Sequence, residues 1–77
     1  MRILHEEYAH PTQVSTVALS AFAQPGGAYL VTEERRGTTT VFSTLGLLDS
    51  REAAAACVRE RADELTGQRY RRVEPPA

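Results

Sequence analysis

Residues 49–73, DSREAAAACVRERADELTGQRYRRV, constrain the fold more than any other stretch, because they spell a helix, its stop and a strand in order. Asp49 is placed to accept from the free N–H groups of a first helical turn, and Glu52 three residues on completes a capping-box pattern. Ala53–Ala56 are strong helix formers. Ala54, Val58, Ala62 and Leu65 recur at spacings of four, four and three, which puts them on one face. That face is built of small side chains, so the helix is expected to lie close against a sheet. Arg59–Asp63 and Arg61–Glu64 are spaced to pair on the outer side, at roughly 0.2–0.5 kcal/mol each. Gly67 is positioned as the left-handed residue that ends the helix, and Gln68–Val73 returns as a strand.

The segments before the helix read as strands joined by short turns. Met1–Tyr8 reads as a partly irregular lead with room for a short strand start around Ile3 and Leu4, followed by a polar connector broken by Pro11. Val14–Ala23 is rich in β-branched and aromatic residues, with Val17, Leu19 and Ala21 on one side at period two. In Gln24–Gly27, Pro25 presets φ for the first central turn position and Gly26 supplies the positive φ of a type II turn. A hairpin into Ala28–Glu33 follows, then a polar second turn over Glu34–Gly37. Thr38–Leu48 opens with three threonines, which suit a strand, and Gly46 marks a bulge or its end. The expected fold is therefore α+β: an antiparallel sheet of about four strands, built as a hairpin meander, packed on one α-helix. Residues 1–77 form one small domain, with 1–13 a partly irregular lead and 74–77 a frayed tail.

With 77 residues, the chain has room for one thin core. Its large apolar residues suffice to seal one sheet against one helix, not to enclose the roughly 300 Å³ or more that a ligand pocket needs. Size thus argues against an enzyme. A lone Cys57 forms no intrachain disulfide and no CxxC site, and in an alanine-rich helix it reads as a small hydrophobe. No signal-peptide run and nothing near a membrane span is present, so a cytoplasmic location without membrane contact is expected.

No constellation for catalysis or metal binding stands out. His5 and His10 flank Glu6 and Glu7 in a segment read as irregular, which falls short of three or four converging ligands. Ser15, Ser20, Ser43 and Ser50 lie in no nucleophile motif, and Gly26–Gly27 sits in a hairpin, not before a helix as a phosphate loop would. Charge position is more informative. The formal net charge is −1 and all nine basic residues are arginine, with no lysine or asparagine, a bias that GC-rich coding explains. Arg35 and Arg36 fall in the second turn, and Arg69, Arg71 and Arg72 crowd the last strand around Tyr70, whereas residues 1–34 carry one arginine against four glutamates. A basic surface on a nearly neutral protein suits phosphate contact. A charged edge strand that resists aggregation is the plainer reading of the same residues.

The order of these elements, with Ala28–Val31 before a loop ending in Arg36-Gly37, a Thr-rich strand, S-x-x-x-A over Ser50–Ala54 opening the helix, and G-x-x-Y over Gly67–Tyr70, resembles the WGR domain. The resemblance spans roughly residues 2–73. It implies a small α+β module with a nucleic-acid-binding role, of the kind attached to DNA-repair and poly(ADP-ribose) polymerase enzymes. The chain has no tryptophan, and Glu34-Arg35-Arg36 stands where the family has Trp-Gly-Arg, so Arg36 alone carries over.

The expected molecule is a non-enzymatic binding module without cofactor or metal. Arg35, Arg36, Arg69, Arg71 and Arg72 would contact phosphates of DNA or another nucleic acid, and Tyr70 would stack on a base or sugar. The alternative is a protein partner or homodimer, reached through an open sheet edge or through Leu45, Leu47 and Leu48.

Overall fold

Val17, Leu19 and Ala21 alternate along one strand, and all three are fully buried. They form the centre of the core because the strand that carries them is the middle of a five-stranded sheet. In the computed structural model, which describes residues 1–74, the elements run β1 (Arg2–Ala9), β2 (Thr16–Ala23), β3 (Tyr29–Arg36), β4 (Thr40–Leu48), α1 (Arg51–Gly67) and β5 (Arg71–Arg72). The strand order is β4-β3-β2-β1-β5 and every neighbouring pair is antiparallel. The class is α+β, with five strands rather than four.

The additional strand is β1. His5, Glu6 and Glu7 hide its alternation, yet it is extended throughout and pairs with β2 from Arg2–Phe22 to Ala9–Thr16. The apolar face of the sheet, with Tyr8, Val17, Leu19, Ala21 and Val31, closes on Ala54, Val58 and Leu65 of α1. Fully burying a leucine such as Leu19 or Leu65 contributes roughly 2 kcal/mol, so a handful of such residues holds this small core. The opposite face is mixed and carries no second layer among the described residues. Ala18 and Ser20 are buried there only because they are small and flanked on both sides.

The β2–β3 connection is the turn read from Gln24–Gly27. Gly26 has φ +92°, and the Gly27 N–H donates to the Gln24 carbonyl at 3.2 Å. The second connection departs from expectation. Glu34, Arg35 and Arg36 continue β3, because the eight residues of β2 pair with eight of β3, and the chain turns only after Arg36. Between Val31 and Thr32 the register with β4 slips by one residue, a bulge that inserts Leu45 and sets Gly46 opposite Val31.

Both helix ends also differ from the expected caps. Ser50, not Asp49, is the N-cap: its backbone is extended, and its Oγ accepts the Ala53 N–H at 3.1 Å. Glu52 therefore sits in the first turn without closing a capping box, although its charge suits the positive end of the helix. At the other end Gly67 is still helical and Arg69 is the left-handed residue, with φ +74°. The Arg69 N–H donates to Thr66 O at 3.1 Å and the Tyr70 N–H to Leu65 O at 3.0 Å, the paired bonds of a Schellman motif. Buried Tyr70 and Leu65 make the apolar contact that accompanies it. Only Arg71–Arg72 then pair with β1, so the expected strand over Gln68–Val73 shrinks to two residues. Of the tail read as frayed, residues 75–77 lie outside the described residues.

Candidate nucleic-acid interface

Register assembles the arginines that the sequence separates. Arg36 stands opposite Thr16, Thr16 opposite Ala9, and Ala9 opposite Arg71, so Arg36 and Arg71 lie in one transverse row. Arg35, Val17, Tyr8 and Arg72 form the adjacent row on the helix side of the sheet. Within each row the two arginines are three strand spacings, roughly 14 Å, apart at Cα. Arg69 joins them from the left-handed position that stops α1. One end of the sheet thus holds Arg35, Arg36, Arg69, Arg71 and Arg72.

Their charges are not equally free. Arg36 Nη2 donates to Glu34 Oε2 at 2.7 Å, and this bond, with the Glu34 charge, raises the guanidinium above its ordinary range. Arg35 lies 3.7 Å from Glu33 Oε2 and 6.0 Å from the Tyr70 ring centroid, a cation–π distance. Arg69, Arg71 and Arg72 are exposed and have no ion-pair partner among the described residues.

Tyr70 departs from its expected role. It is 6% exposed, its hydroxyl lies 2.8 Å from Ser15 Oγ, and the His10 ring meets its ring edge-on at 5.2 Å between centroids. The ring plugs the end of the core, under Arg35 and His10, and offers no free face to a base. Pro11, Thr66, Arg69, Tyr70 and Arg71 line a hollow of about 270 Å³ beside it. That volume is below the roughly 300 Å³ of a small-molecule pocket, though wide enough for a phosphate group. Similar hollows of about 250 and 260 Å³ flank α1, one lined by Leu45, Cys57 and Arg61 and the other by Leu4, Tyr8 and Val58.

Two polar arrangements escaped the sequence reading. In the first, Glu33 is buried and takes two bonds from Arg61, from Nε at 2.5 Å and from Nη2 at 3.3 Å. The bond to Glu33 raises the Arg61 guanidinium above its usual range. The signal was present: Glu33 has the same strand parity as Tyr29 and Val31, so its carboxylate faces the helix and requires a cation there. The expected Arg61–Glu64 pair also forms, at 3.5 Å, while Arg59 and Asp63 make no ion pair among the described residues.

In the second, His5 stands opposite Ser20, with Nδ1 2.8 Å from Ser20 Oγ and Nε2 3.4 Å from Glu7 Oε2. Serine, imidazole and carboxylate in line are the parts of a nucleophilic triad. Ser20, however, lies 7% exposed on a central strand hydrogen-bonded on both sides, where the backbone N–H groups are committed to ladders instead of free to hold an oxyanion. The trio is a cross-strand clasp on the open face. No sequence signal pairs His5 with Ser20, since only the register does so.

Cys57 is half-buried, and burial followed by the Glu60 charge pushes its thiol upward, away from the reactive thiolate. Among the described residues no group of three or more His, Cys, Asp or Glu is arranged to hold a metal ion, and no helix is long and apolar enough to cross a membrane. Compared with known proteins, the chain matches no family model, no curated protein and no solved structure.

Proposed function

We propose that this protein is a small non-enzymatic binding module that grips the sugar-phosphate backbone of DNA with the arginines at one end of its sheet. One observation carries the reading: Arg69, Arg71 and Arg72 are exposed, close in the chain and free of carboxylate partners among the described residues. Unpaired guanidiniums bind phosphate oxygens in pairs and without reading base sequence. Arg36 lies in the same row as Arg71, and an exposed ion pair such as Arg36–Glu34 is weak enough for a phosphate to displace the carboxylate. Arg35, held between Glu33 and Tyr70, supports the surface instead of contacting the ligand.

This surface is narrower than the five arginines and Tyr70 expected from the sequence, and binding through it is weak and indifferent to sequence. Neutralising three phosphates gives log K a slope of about −2 to −3 against log salt. Fluorescence-anisotropy titration of short duplex and single-stranded DNA over a salt series measures it. No binding at roughly 20 mM salt, where screening is slight, overturns the reading.

The second reading, an interaction module, is favoured by the composition of β4. Of the leucines expected to form its surface, Leu45 and Leu48 pack against the core and only Leu47 is exposed.

A further inference from the structure

The two edges of the sheet are unlike. On the β5 side, β1 carries Arg2, His5, Glu6 and Glu7, a register shift near Ile3, and the two arginines of β5 along its far end. Charges, irregularity and a short terminal strand are the devices by which a sheet edge repels other edges. The β4 edge has little of this. Its sequence, TVFSTLGLL, holds no charge and no proline over nine residues. Val41, Phe42 and Leu47 are 54%, 71% and 65% exposed. Beyond its bulge at Leu45, β4 runs in unbroken register with β3 from Thr40 to Thr44.

From this edge we infer that two copies of the chain join antiparallel along Thr40–Thr44, about a twofold axis at Phe42, into a ten-stranded sheet. An isologous contact must be self-complementary, and this five-residue stretch is. A twofold at Phe42 pairs Phe42 with its own copy, Thr40 with Thr44 and Val41 with Ser43. Aromatic pairs and threonine pairs are among the favourable cross-strand neighbours.

The flanking charges agree with that partner. Arg35 lies opposite Val41, and Glu33 opposite Ser43. Pairing Val41 with the second copy's Ser43 leaves Arg35 of one copy and Glu33 of the other three strand spacings, roughly 14 Å, apart in one row, so on this face opposite and not like charges face each other. On the other face Glu34 already carries Arg36 as its counter-ion, so the meeting edges bring no uncompensated like charge together. A hetero-partner of marked charge finds nothing on β4 to recognise, whereas a second copy finds its own neutral strand.

The state of association and a position-specific crosslink test this independently of DNA binding. By sedimentation equilibrium at high micromolar concentration, the chain is expected at twice its 8.5 kDa mass. Phe42→Lys, at an exposed position, is expected to return it to the monomer with an unchanged far-ultraviolet circular dichroism spectrum. Antiparallel partners lie roughly 4.5–5.5 Å apart at Cα, within disulfide range. In a Cys57→Ser background, Phe42→Cys should therefore oxidise to a covalent dimer, while Leu47→Cys on the same edge should not. A chain that stays monomeric overturns the inference. So does a dimer that survives Phe42→Lys, or one that crosslinks no better at residue 42 than at residue 47.

Discussion

The Arg61 guanidinium donates to both oxygens of Glu33, through Nε at 2.5 Å and Nη2 at 3.3 Å, and so ties the only helix among the described residues to the third strand. A carboxylate this well buried is held in place by its partner more than it is a source of net stability. Removing the partner is expected to be the costly change. Arg61→Ala should lower unfolding free energy by about 3 kcal/mol, with Arg35 at 3.7 Å relieving only part of the cost of leaving Glu33 buried without its main partner. Urea denaturation of Arg61→Ala and of the double variant Arg61→Leu/Glu33→Leu checks this. The double variant should be markedly more stable than the single one, and equal losses would show that the two side chains do not act as a pair.

The helix stop supplies a second prediction. Arg69 holds φ +74°, which costs roughly 1 kcal/mol for a residue with a Cβ, whereas Gly67 is helical with open space where a Cβ would lie. Arg69→Gly should therefore stabilise by about 1 kcal/mol, which raises Tm by roughly 4–8 °C in a domain of this size. Gly67→Ala should also stabilise, by about 0.5–1 kcal/mol. Were Gly67 the left-handed residue, the alanine would destabilise instead, so thermal unfolding of this variant alone distinguishes the two stops.

Tyr8 sets the alkaline limit. Burial, then the bond its hydroxyl donates to Glu6 Oε1 at 2.6 Å, lifts its pKa from 10.0 to about 12. A phenol whose folded pKa lies above its unfolded value contributes stability that is complete below pH 10. That contribution drains away as the pH climbs from 10 toward 12. Ultraviolet titration should find one of the three tyrosines ionising near 12, and denaturant midpoints should fall across that window. In Tyr8→Phe the alkaline fall should be smaller; an unchanged fall would assign it to another group.

These features differ in how far the chain itself announces them. The helix is legible because Ala54, Val58, Ala62 and Leu65 obey a local period, and Ala54, Val58 and Leu65 are indeed buried. Its caps are displaced because two residues at the start, Asp49 and Ser50, both suit an N-cap, and because Gly67 draws the eye from Arg69. β1 is harder to see, since three titratable residues interrupt its alternation and the partner strand supplies the pairing. Arg35 and Arg36 read as a turn because Glu-Glu-Arg-Arg-Gly is polar, yet the length of β2 keeps them in a strand. The interface itself is the least legible part. That Arg36 shares a row with Arg71, or that Tyr70 is sealed by Ser15 and His10, depends on register and on a helix stop that local residue types do not encode.

The most direct measurement is DNA affinity in a variant stripped of the three unpaired arginines at this end of the sheet, set against loss of an exposed arginine elsewhere. Arg69→Gly/Arg71→Ala/Arg72→Ala retains the helix stop and removes the charges. Arg51→Ala removes an exposed arginine at the start of the helix, where the chain leaves β4 at the opposite end of the sheet. At low salt the triple variant should bind short DNA at least tenfold more weakly than the parent, with a salt slope shallower by about 2, while the helix variant stays within about twofold. Equal affinity of the triple variant and the parent, or an equal loss in the helix control, would contradict a phosphate-binding surface at this end of the sheet.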